Sequence, residues 1–170
     1  MILRIRKYGD PVLETPAEPV TEFNGELRQL ADDMFETMYA NKGIGLAAPQ
    51  VGVLRRLAVL DPSAGEDPAA KLVLVNPVIL VKEGVQIGEE GCLSIPGFRE
   101  DVKRAYRVRV RAQDLDGNPF ETEGEELLAR AIQHEIDHLD GILFLQHLSL
   151  LKRDLIKRKI RKLVKAGEWD

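Results

Sequence analysis

The chain has 170 residues, 44% apolar and 31% charged, enough for one domain with a sizeable core and too apolar for an intrinsically disordered chain. It has a single cysteine, Cys92, a longest apolar run (Leu72 to Val81) broken by Asn76 and Pro77, and first residues without a long apolar stretch. These features point away from a disulfide scaffold, a membrane protein and a secretory leader, and a cytoplasmic protein is expected. The net charge of −4 conceals a division: the last twenty residues carry eight basic and three acidic side chains, a net +5 that leaves −9 on the rest. An acidic body does not suit DNA, whereas the basic tail suits an anionic partner.

Leu27, Leu30, Ala31, Met34, Phe35, Met38 and Tyr39 follow helical spacing. They predict an amphipathic helix with Asn24 as N-cap and Gly43 as its C-terminal glycine. The segment Gly43-Ile44-Gly45-Leu46-Ala47-Ala48-Pro49-Gln50 is a poor helix interior and suits a close backbone approach. Short strands are expected at Leu57–Leu60, Leu72–Val75 and Val78–Val81, with Asp61 to Ala70 as a flexible loop. Val108, Val110 and Ala112 alternate with Arg107, Arg109 and Arg111, and Asp116-Gly117 signals a hairpin returning through Phe120 to Thr122. Strands without intervening helices predict an antiparallel α+β domain. A second helix is expected from about Glu125 to Asp140, closed by Gly141, and a third from about Leu148 to Ala166. The third buries Ile156, Ile160, Leu163 and Val164 opposite a basic face. The expected organisation is one domain over residues 1–170, with a core of 1–147 and a basic helix at 148–166.

The second helix contains His134-Glu135-Ile136-Asp137-His138. Histidines at i and i+4 stack on one helix face and reach one metal ion, with the intervening Glu beside it as base. At 100° per residue from His134, His138 lies at about 40°, Ala131 at about 60°, Leu127 at about 20° and Glu135 at about 100°, inside the apolar arc. Gln133, Glu126, Asp137 and Arg130 fall between about 260° and 320°, an arc expected to be wet. A buried Glu135 is costly unless paired, protonated or next to a metal. The alternative is that both histidines are core residues and Glu135 pairs with an arginine. A catalytic divalent ion takes three protein ligands, and downstream the chain offers His147 and acids but no Gly-x-x-His continuation. Upstream, Cys92 in Glu89-Glu90-Gly91-Cys92-Leu93-Ser94 is the candidate third ligand, at an irregular strand edge.

Three segments in order, Gly43 to Gln50, Glu90-Gly91-Cys92-Leu93-Ser94 and Gln133 to His138, resemble the signature motifs of the peptide deformylases, as does the opening Tyr8-Gly9-Asp10-Pro11-Val12-Leu13. The resemblance covers nearly the whole chain and is to the bacterial type. It implies an α+β fold with antiparallel β-sheets around the central helix carrying the HExxH motif, plus a C-terminal helix. The implied activity is removal of the formyl group from the N-terminal formyl-methionine of nascent polypeptides, releasing formate. The implied cofactor is one divalent ion, Fe(II) natively, with Zn, Ni or Co accepted. The implied oxyanion donors are the Gln50 side-chain amide and the Leu93 backbone N–H, and the implied partner is the ribosome, met by the basic C-terminal helix. For the implied peptide substrate, backbone at Ile44 and Gly45 on one side and Gly91 on the other is a candidate binding edge, Leu127 and Ala131, on the histidine face, are candidates for the methionine pocket, and Arg99 is a candidate peptide contact.

Two rivals remain open at this level. A metalloprotease cutting internal bonds shares the histidines and glutamate but leaves Cys92 and Gly43–Gln50 without a role. A non-catalytic metal-dependent interaction protein leaves Glu135 without one.

Overall fold

The computed structural model describes residues 1–169; Asp170, at the end of the expected domain, lies outside them. The first helix, α1 (Gly25–Ala40), begins as expected, with Asn24 Oδ1 accepting from Leu27 N at 3.0 Å. Such a cap is worth about 1 kcal/mol. Its end differs from expectation: Lys42, at φ 57°, takes the left-handed position assigned to Gly43. Gly43 instead lies against Leu93: a Cβ there would stand 2.9 Å from Leu93 Cδ1, so that side chain would have to move.

Five strands form one antiparallel sheet in the order β1 (Gly45–Ala47), β2 (Leu57–Leu60), β3 (Leu72–Glu83), β6 (Arg107–Gln113), β7 (Pro119–Glu125). The expected break at Asn76-Pro77 is a bulge inside β3 rather than a gap between strands. Asn76, at φ 51°, holds it by bonding Val20 N and O and Gln113 Oε1. The segment after β2 is an organised turn rather than a flexible loop. Buried Asp61 accepts from Ser63 N, Gly65 N and the Tyr39 hydroxyl.

β4 (Gln86–Cys92) and β5 (Ile95–Arg104) form a separate two-stranded sheet that the sequence signals do not reveal beyond the irregular edge at Cys92. Both strands are polar and glycine-containing, so neither shows the apolar alternation of a half-buried strand.

The second helix, α2 (Glu126–Leu139), is closed by Gly141 at φ 75°, where a Cβ would meet Glu14 backbone at 2.9 Å. Ala129, Ile132 and Ile136 pack on Leu60, Leu74, Val108 and Val110 of the large sheet. α3 (Leu150–Lys165) buries Ile156 and Ile160 with Leu13, Ile95 and Phe144, whereas Val164, expected in the same stripe, is 56% exposed. Trp169 seals this cluster, donating from Nε1 to Tyr8 O at 2.8 Å. Among the described residues no helix is long and apolar enough to cross a membrane.

Candidate metal centre

α2 runs between the large sheet and the β4–β5 pair, so the wet arc expected of it is covered. Arg130 and Gln133 are buried, Asp137 is half-buried, and only Glu126 of that arc is exposed. The covering is ionic, which is why hydropathy periodicity reads this arc as solvent-facing.

On the adjoining arc the i, i+4 spacing brings His134 Nε2 and His138 Nε2 to 3.1 Å, and Cys92 Sγ at the end of β4 lies 3.3 Å from His138 Nε2. All three donor atoms lie within 4.8 Å of one another. Burial and the neighbouring His134 charge push His138 well below the usual imidazole range, leaving it a neutral donor. Burial would also lower His134, but the Glu135 charge and hydrogen bonds to Cys92 and Glu90 raise it well above that range in the metal-free site. Glu90 Oε1 lies 2.9 Å from His134 Nδ1 and accepts its proton, so Nε2 faces Sγ and the second imidazole and is the atom a cation would take in place of the second proton. Cys92, His134 and His138, with a carboxylate beside them, are a donor set that would hold one divalent ion.

Glu135 is buried, and its Oε1 has no hydrogen-bond partner. It does not pair with an arginine: Arg104 and Arg130 are both committed to Glu90. Burial lifts the Glu135 carboxyl to about 7, against the pull of the His134 charge. Glu90 behaves oppositely. Burial alone would raise it, but hydrogen bonds from Arg104 and His134 hold it well below the usual carboxylate range.

A cavity of about 740 Å³ opens onto this centre. Ile44, Gly45, Gln50, Gly91, Cys92, Leu93, Arg99, Leu127, Ala131, His134 and Glu135 line it, and His138 lies beneath them, 1% exposed. Leu127 is half-exposed at the mouth, and Ala131 is deeper. Gln50 is oriented by its own turn: Oε1 accepts from Ala47 N at 3.0 Å, while Nε2 points to Ser94 Oγ at 3.1 Å and Cys92 Sγ at 3.5 Å. β1 is the outer strand of its sheet, so Gly45 carries a strand edge at the cavity. Arg99 lies across from Gly91 in the β4–β5 register and pairs with Glu89.

The polypeptide deformylase family model matches residues 2–154. The chain belongs to the peptide deformylase family, hydrolases that act on N-formyl peptides. A peptide deformylase of Acidobacterium capsulatum is 64% identical over 169 residues, covering 99% of each chain. The crystal structure of a peptide deformylase from Legionella pneumophila superposes with a TM-score of 0.92 at 45% identity, covering 100% of this chain and 99% of that one. That of the Thermus thermophilus peptide deformylase gives 0.87 at 48% identity, with 96% of each chain covered. The antiparallel α+β architecture with its C-terminal helix is thus the deformylase fold. Four residues of this deformylase site had no role from sequence: Glu90, Arg104, Arg130 and Ser94. Glu90 and Ser94 stand in the signature segment around Cys92, and Arg130, one turn before His134, is beside the histidine face; Arg104 alone left no trace in the sequence.

Proposed function

We propose that this chain removes the formyl group from N-terminal formyl-methionine of nascent polypeptides and releases formate. One observation carries the reading: Cys92 Sγ, His134 Nε2 and His138 Nε2 converge beside the unpartnered, buried Glu135 at the floor of an open cavity. Cys92, His134 and His138 would hold a divalent ion, which when bound would supply Lewis-acid activation of water. Two imidazoles and a thiolate suit Fe(II), Zn, Ni or Co, and Fe(II) is the proposed native ion.

Glu135, with a carboxyl near 7 before a cation is added, is matched to take a proton from water and return it to the leaving nitrogen. The Gln50 amide and the Leu93 N–H are the proposed donors to the developing oxyanion. Both groups are uncharged, and Gln50 is held in place by Ala47. The substrate backbone is proposed to add as a strand between the Ile44–Gly45 edge and Gly91, with Arg99 near its later residues and the methionine side chain against Leu127 and Ala131.

The partners are formyl-methionyl nascent chains in the cytoplasm and, through the exposed basic face of α3, ribosomal RNA. The test is formate release from a formyl-methionyl peptide against cleavage of the same peptide unblocked, with metal analysis on the same anaerobically purified sample. Formate release with bound metal supports the reading. Cleavage of internal bonds supports the endoprotease instead.

A further inference from the structure

His147, a possible ligand on sequence grounds, stands outside the metal centre. It faces Asp137, with Nε2 2.8 Å from Asp137 Oδ2. The same oxygen accepts from Arg104 Nη1 at 2.6 Å. Arg104 then grips both oxygens of Glu90, with Nε at 2.8 Å from Oε2 and Nη2 at 2.9 Å from Oε1. Glu90 Oε1 ends the chain on His134 Nδ1 at 2.9 Å. Arg104, Glu90 and His134 are buried, whereas Asp137, at 20% exposure, and His147, at 35%, reach solvent at the outer end of the path.

The path crosses three elements. His147 closes the short turn Phe144–His147, which Phe144 and Leu145 anchor in the core at 1% exposure each. Asp137 is on α2, and Arg104 and Glu90 are on the small sheet.

We infer that Asp137 and His147 are positioning residues that set the direction of the His134 imidazole through Arg104 and Glu90. The inference rests on the metal reading above. Its physical basis is that Arg104 and His147 share one carboxylate oxygen. His147 donates Nε2–H to Oδ2, and that bond helps hold the Asp137 carboxylate in the rotamer that meets Nη1. Without it the carboxylate is free to turn toward solvent. The buried guanidinium is then left without its Asp137 partner, and its two-pronged grip on Glu90 shifts. Partners of metal-bound imidazoles act this way, fixing ring orientation and tautomer rather than touching substrate.

The test uses the cobalt-loaded protein and three variants: His147→Leu, His147→Gln and Asp137→Asn. The readouts are the rate of cobalt transfer to excess EDTA, the visible cobalt spectrum and the melting temperature. His147→Leu should release cobalt roughly tenfold faster, the low end for an outer partner of a metal ligand, with an altered spectrum. His147→Gln, whose amide still donates to Asp137, should restore the parental rate and spectrum. Asp137→Asn should release cobalt at least as fast as His147→Leu. Parental release by His147→Leu, or equal release by the Leu and Gln variants, overturns the inference while leaving the metal reading intact. A parent protein that holds no cobalt overturns both.

Discussion

Gly45 leaves the space that Glu135 occupies: a Cβ on Gly45 would stand 2.5 Å from Glu135 Oε2 and 3.0 Å from its carboxyl carbon. The proposed general base is therefore held from above by a strand edge with no side chain at this position. Gly45→Ala should displace the carboxylate without touching the ligands. Displacements of about 1 Å cost on the order of 10²-fold, so turnover should fall by about that factor while metal content stays parental. Unchanged turnover would show that Glu135 has other room.

Glu135→Gln keeps the shape of the side chain and removes its capacity to accept a proton. Folding and metal content should persist, and turnover should fall at least ~10²-fold, the low end for positioned acid–base catalysis. Metal loss in this variant would make Glu135 a support of the site rather than a proton carrier. Asp137→Asn is no inert control, although the helical projection puts Asp137 on the arc expected to be wet. Asp137 Oδ2 bonds both Arg104 and His147.

The two buried carboxylates give opposite pH signatures in metal-free protein. Glu90 titrates well below its ordinary 4.5 when folded, so the unfolded chain takes up its proton first and stability is lost as pH falls below about that value. Glu135 titrates at about 7 when folded against 4.5 ordinarily. Between these values the folded state binds the extra proton, so stability falls as pH rises through the window. Urea unfolding at intervals from about pH 2 to 8 should show both slopes. Glu135→Gln should remove the one between 4.5 and 7 and leave the acid one. Glu90→Gln should be less stable at neutral pH by about 3–5 kcal/mol, because Arg104 and Arg130 are left buried without their carboxylate.

Cys92→Ser should sharply lower metal occupancy, since a hydroxyl is a far poorer anionic ligand than a thiolate. With iron bound, peroxide should inactivate the parent protein and nickel replacement should protect it. Full metal content in the serine variant would remove Cys92 from the centre.

Deleting α3 after Gln146 is a poor test of ribosome binding, because it also strips Ile156, Ile160 and Trp169 from the cluster around Leu13 and Phe144. Arg158, Lys162 and Lys165 are exposed and follow one helix face. Their joint reversal to Glu should weaken ribosome binding and reduce its salt dependence, by about one unit of slope for each phosphate no longer neutralised. Hydrolysis of short formyl peptides should continue at the parental rate. Ribosome binding that does not change with salt would contradict an electrostatic attraction.

Local order was decided by the sequence alone. The i, i+4 histidines, the apolar stripe of α1, the Asn24 cap, the Gly141 stop and the Asp116-Gly117 hairpin depend on neighbours within a turn or two, and side-chain spacing records them directly. The motif order identified the family for the same reason. Tertiary structure decided what lies between distant segments. Glu90 and Arg104 come from one strand pair, but Arg130, His134 and Asp137 reach them from α2, 28 to 44 residues away in the chain for the hydrogen bonds that join the two elements. Such an ionic layer carries no hydropathy period, so Arg130 and Asp137 read as solvated when they are in fact roofed by β4 and β5. The register of that strand pair, and not any spacing in the sequence, is what turns a polar helix face into the support of His134.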